Sequence, residues 1–125
     1  MTYLGFAAIR NLVMSMEVFS QWKPDEAVFD FDAEELQAHA QLVAASARAL
    51  TDGTPQADDA LLAGMLHDIG YLVLAQECPA ELQQALTESR STGEPMHRVE
   101  RRILGASHAE IGAYLLGLWG LPYSI

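Results

Sequence analysis

The stretch Ala60–Gln76, ALLAGMLHDIGYLVLAQ, is the most apolar in this 125-residue chain, and His67-Asp68 sits in its middle. Pro55 and the acids Asp58 and Asp59 ahead of it suit the first turn of a helix, where negative charge meets the positive dipole end, so it reads as an apolar helix. A carboxylate in such surroundings is costly unless a cation, a metal or strong donors meet it. Gly64 and Gly70 thin the helix on either side of the pair and let another helix approach closely.

Helix patterns recur on both sides of this segment. From Tyr3 to Trp22 the residues Leu4, Ala8, Leu12, Val13, Met16 and Phe19 keep helical spacing until Lys23-Pro24-Asp25 breaks it. Asp32 with Glu35 forms a capping box that opens a helix reaching Leu50. Downstream, Pro79 starts a helix over Ala80 to Arg90 closed by Gly93, and another runs from Pro95 to Leu104 and meets Gly105. Ser107 with Glu110 is a second capping box, opening a helix from His108 to Trp119 that Gly120-Leu121-Pro122 stops. The expectation is an all-α, compact multi-helix domain of about six helices. Both ends of the chain are abrupt and apolar, which suggests an excerpt of a larger helical domain or an oligomer interface.

Composition narrows the function. Half the residues are apolar and 19% are charged, the balance of a globular chain. Seventeen acids against seven bases give a net charge of −10, which argues against nucleic acid or an anionic membrane as partner. The one cysteine, Cys78, suits a reducing cytosol, and no apolar run approaches the roughly 20 residues of a membrane span. A cytoplasmic protein is the expectation.

Four residues carry the candidate chemistry. His39 falls between Leu36 and Val43, on a helix face that runs on through Ala47 and Leu50, and is expected to point toward the core. His67 and Asp68 form the pair within the apolar segment, and the aspartate is expected to be buried. His108 opens the last helix on one stripe with Ile111, Gly112, Leu115 and Trp119. Mixed imidazole and carboxylate donors suit Mn, Fe or Zn, and the same groups can instead bond only to one another. His97, among Arg98, Glu100, Arg101 and Arg102, reads as solvated, and the arginines as a solvated face diluted by Glu94 and Glu100.

A histidine in one amphipathic helix, followed by His-Asp in an apolar one, resembles the HD superfamily of metal-dependent phosphohydrolases. More closely, the chain resembles the HDOD domain, the HD-related output domain of bacterial signalling proteins. The matching blocks are Tyr3-Leu4-Gly5-Phe6 through Ile9-Arg10-Asn11-Leu12-Val13, then Ala63-Gly64-Met65-Leu66-His67-Asp68-Ile69-Gly70. The third runs from Glu100 through Leu104-Gly105-Ala106-Ser107-His108-Ala109-Glu110-Ile111-Gly112 to Trp119-Gly120-Leu121-Pro122. They cover nearly all of residues 1–125, and the expectation is a partial domain that lacks its N- and C-terminal portions.

The resemblance implies a non-catalytic output module that acts through protein–protein contacts in two-component and related signalling. Its partners would be receiver, GGDEF or EAL domains or a second copy, and it would have no cofactor. Its alternative is a metal-dependent phosphohydrolase or phosphodiesterase. There His39, His67 and Asp68 would be ligands of a divalent Mn, Fe or Zn, with His108 as an extra. The later aspartate of the HD hydrolases has no match, Tyr71 replaces a lysine frequent after His-Asp-Ile-Gly, and the Gly-Tyr-Pro signature is absent. A plain helical dimerisation module is a third reading, resting on the apolar ends.

Overall fold

The structure, a computed structural model, describes residues 32–122 and residue 125. The expected Tyr3–Trp22 helix lies outside the described residues, as do Tyr123 and Ser124. Six helices follow one another: α1 (Ala33–Leu50), α2 (Ala57–Leu66), α3 (Gly70–Glu77), α4 (Pro79–Thr92), α5 (Met96–Leu104) and α6 (His108–Leu118). The described residues contain no strand.

Helix ends follow local chemistry. Asp32 Oδ1 accepts the N–H groups of Glu34 at 2.8 Å and Glu35 at 3.4 Å, the forward half of the expected box. At α6 the box is complete: the Ser107 hydroxyl accepts from Glu110 N, and the Glu110 carboxylate accepts from Ser107 N at 2.8 Å. Pro79 opens α4, while Gly93 and Gly105 end α4 and α5 in the left-handed conformation, at φ 73° and 83°. Asp58 and Asp59 lie in the first turn of α2, where the helix dipole favours negative charge.

The apolar segment departs from expectation. Instead of one helix over Ala60–Gln76 there are two, with α2 already helical at Ala57 and the chain breaking at residues 67–69. An unbroken helix would give the Gly64 carbonyl to the Asp68 N–H. The His67 ring takes that carbonyl instead, with Nδ1 donating at 2.7 Å. The next residues tighten to three-residue spacing: Ile69 N bonds Leu66 O, Tyr71 N bonds Asp68 O and Leu72 N bonds Ile69 O, all at 3.0–3.1 Å. His67 and Ile69 keep right-handed helical dihedrals, so no breaker residue marks the site.

Two clusters form the core. Leu62, Leu66, Ile69, Leu72 and Leu116 make the first, and Leu74, Ala75 and Leu82 the second. Fully burying a leucine or isoleucine contributes roughly 1.5–3 kcal/mol, so the first cluster alone ties α2, α3 and α6 together strongly. α1 packs along α2, α3 along α6, and α4 along α5.

Two glycines make those approaches possible. A Cβ on Gly64 would lie 2.7 Å from the Ala44 Cα, and one on Gly70 would collide with the His108 carbonyl oxygen. The absence of side chains there sets α1 and α6 against the His67–Asp68 junction.

Candidate functional site

The junction between α2 and α3 gathers all four candidates. α1 brings His39 across from one side and the first residue of α6 brings His108 from the other. Asp68 lies between them: Oδ2 is 3.0 Å from His67 Nε2 and 3.5 Å from His39 Nε2, and Oδ1 is 3.5 Å from His108 Nε2. His39 Nε2 and His67 Nε2 are themselves 3.2 Å apart. The costly carboxylate of the apolar segment is thus surrounded by three histidines.

His39 corrects one expectation. Its side chain is 52% exposed rather than turned into the core, and Leu50, on the same expected face, is 88% exposed. The buried stripe of α1 passes through Ala40 and Ala44, because Gly64 admits only small residues opposite it. His39 borders that stripe, with one ring edge on the cluster and the other in water. His97 is exposed, as expected.

Glu100 departs from expectation: it stands in sequence among charges expected to be solvated, yet it is fully buried. Its carboxylate accepts from His108 Nδ1, at 2.7 Å to Oε2, and Oε2 also accepts the His108 backbone N–H at 2.9 Å. Its spacing held the clue: Met96, Glu100, Ile103 and Leu104 recur at helical intervals on one side of α5. Tyr71 stacks on the His108 ring with centroids 4.0 Å apart and donates its hydroxyl to Glu100. Burial, followed by the charges of Glu100 and Asp68, pushes the Tyr71 phenol well above its ordinary value, so it stays a neutral donor. The neighbouring arginines are committed elsewhere: Arg101 pairs with Glu110, and Arg102 with Glu88 and Glu94.

Donor chemistry tests whether the cluster suits a cation. Because His67 Nδ1 donates to a carbonyl, Nε2 of the neutral ring carries a lone pair. That lone pair faces the Asp68 carboxylate oxygen at 3.0 Å, an arrangement that needs a proton or a cation between them. His39 Nε2, His67 Nε2 and Asp68 Oδ2 form a triangle with edges of 3.0–3.5 Å. Ligands about 2.0–2.2 Å from one ion stand about 3.0–3.5 Å apart, so the triangle has the size of one coordination face. Two imidazoles and one carboxylate fit Mn, Fe or Zn rather than Ca. Among the described residues this is the one group of three or more such donors that converges, and His108 stands beside it rather than in it.

The model of the HDOD domain matches residues 1–125. No curated protein matches the chain. Among solved structures, an HDOD domain protein of unknown function from Geobacter sulfurreducens is 25% identical with a TM-score of 0.72, covering 96% of this chain and 40% of its own. A protein from Shewanella amazonensis SB2B described as a "Putative phosphohydrolase" is 28% identical with a TM-score of 0.73, covering 97% of this chain and 44% of its own. The chain therefore spans less than half the length of these two neighbours. No described helix is long and apolar enough to cross a membrane. Helical architecture, the His-Asp junction and the match over the whole length agree: the chain belongs to the HDOD domain family.

Proposed function

We propose that this domain is a regulatory output module of bacterial signalling that holds one divalent cation and acts by contact rather than by hydrolysis. The observation that carries this reading is the single three-donor face of His39, His67 and Asp68. Two-metal hydrolysis needs further carboxylate or water ligands, whereas among the described residues only three donors converge here. A cation between His67 Nε2 and Asp68 Oδ2 would meet both facing atoms, as a proton on the ring also would. His39, His67 and Asp68 would hold the ion, whose charge would offset that of the carboxylate and tie α1 to the α2–α3 junction.

Contacts with receiver, GGDEF or EAL domains in the cytoplasm, or with a second copy, fit the acidic surface and the exposed Leu42, Leu50, Tyr114 and Leu118. One assay tests this reading. Protein loaded with Mn²⁺ is offered bis(p-nitrophenyl) phosphate, nucleoside monophosphates and a cyclic dinucleotide. Product release equal to that of Mn²⁺ alone is expected. Turnover that disappears in both His67→Ala and Asp68→Ala would overturn it.

One observation favours hydrolysis as a second reading. The His39 ring is half open to water, so a phosphoryl oxygen can reach the donor face. A cation bound there would supply Lewis acidity toward that oxygen and toward water. The same assay decides between the two.

A further inference from the structure

We propose that the cation latches α1 to the domain: with the ion bound α1 stays docked on α2, and without it α1 opens before the rest. The inference rests on the cation reading above and concerns what binding at that site would regulate. α1 is thinly joined to the core. Among the described helices it lies along α2, and its only fully buried side chains are those of Ala40 and Ala44. An alanine methyl buries a small part of the apolar area of a leucine and stabilises correspondingly less. By contrast α2 and α3 bury Leu62, Leu66, Leu72 and Leu74, with Ile69 between the two helices. Leu36 is the one described α1 side chain packed against the first core cluster, and it is half-buried. At the other end of α1, Arg48 pairs with Asp58 at 2.8 Å, but both side chains are partly exposed and such a pair contributes little.

The three donors are divided between the firm part and the thin one. His67 and Asp68 stand on the α2–α3 junction, whose flanking Leu66 and Ile69 are buried. His39 comes from α1, with Nε2 3.2 Å from His67 Nε2 and 3.5 Å from Asp68 Oδ2. The donor face is therefore complete only while α1 is docked. When α1 opens, two donors remain on the junction, and two hold an ion more weakly than three. A ligand that binds one state of an equilibrium favours it by one plus the ratio of its concentration to Kd, up to about 100-fold at a hundred times Kd. Opening of α1 is suppressed by that factor, whereas helices that bring no donor open at their own rate. Local opening of this kind is read directly by backbone hydrogen exchange.

The experiment follows hydrogen exchange of the full chain by mass spectrometry, helix by helix, with and without Mn²⁺. Calorimetric titration records separately whether Mn²⁺ binds. Without the cation, α1 is expected to exchange faster than α3. Mn²⁺ at a hundred times its Kd is expected to slow exchange in α1 by up to about 100-fold and to leave α4 and α5 unchanged. His39→Ala removes the α1 donor by trimming a half-exposed ring. In that variant α1 is expected to exchange at one rate with and without Mn²⁺, even where the ion still binds the junction. Bound Mn²⁺ that leaves α1 exchange unchanged would overturn the latch while the site stands. So would equal slowing in every helix, cation-free α1 as protected as α3, or a slowing of α1 that survives in His39→Ala. A titration that shows no Mn²⁺ binding to the parent would overturn the cation reading itself, and the latch with it.

Discussion

Two polar groupings lie side by side in this domain, one buried and one open to water, and they are finished differently. On the α5–α6 side, Glu100, Tyr71 and His108 close on one another and Ser107 closes on Glu110: Glu100 and Ser107 are fully buried and their polar atoms are matched. On the α1–α2 side, His39, His67 and Asp68 converge without closing, with 52%, 34% and 18% of their side chains exposed. A buried polar network that satisfies itself stiffens a core, whereas one that leaves lone pairs opposed waits for a ligand. The first is the frame and the second is the site, with Asp68 touching both.

The largest effect is expected where the two groupings are pressed together. Gly70→Ala would drive a methyl into the His108 carbonyl, a backbone atom that cannot turn aside. A loss of about 3 kcal/mol in chemical unfolding is predicted. A variant as stable as the parent would show that the α3–α6 approach is looser than described.

Next comes the frame set against the site. His108→Ala strands a fully buried carboxylate and should cost about 3 kcal/mol. His39→Ala trims a half-exposed ring and should cost about 0.5 kcal/mol. Equal losses in the two would erase the distinction between closed and open groupings.

A smaller effect depends on pH. Hydrogen bonds from Arg101 and then from Ser107 hold the Glu110 carboxyl at about 2, below the 4.5 of a free side chain. A lowered carboxylate contributes stability above pH 4.5 and loses it as pH falls toward 2. Glu110→Gln keeps the capping geometry without the charge, so it should be less stable than the parent at pH 6 and equal to it near pH 2. A difference that persists at pH 2 would place the contribution in shape rather than charge. The smallest effect is a gain: nothing lies within 4 Å of a Cβ on Gly117, and Gly117→Ala should add about 0.5 kcal/mol. A loss there would mean that another surface covers α6.

Much of this frame was legible in the sequence, because helix ends are written in local chemistry. Asp32, Ser107 with Glu110, Pro79, Gly93 and Gly105 each act on backbone groups within a few residues. A break beside Gly70 was one of the roles the sequence left open for Asp68, but its extent over residues 67–69 was not legible, since it follows from the His67 ring taking the Gly64 carbonyl. The four site residues were found as a set because a carboxylate among apolar neighbours demands partners. Glu100 was missed for the converse reason: flanking arginines made a buried acid look solvated, although it shared a stripe with Met96 and Ile103. The orientation of His39 depended on Ala44 meeting Gly64, a contact between helices that periodicity within one helix does not contain.

On the reading proposed above, His39, His67 and Asp68 would hold one cation. Elemental analysis of protein purified without chelator or histidine tag, taken beside its Asp68→Ala variant, tests it most directly. Close to one equivalent of Mn, Fe or Zn per chain, lost in the variant, is the predicted result. Parent protein that carries no metal and takes up none on incubation with these ions would contradict it.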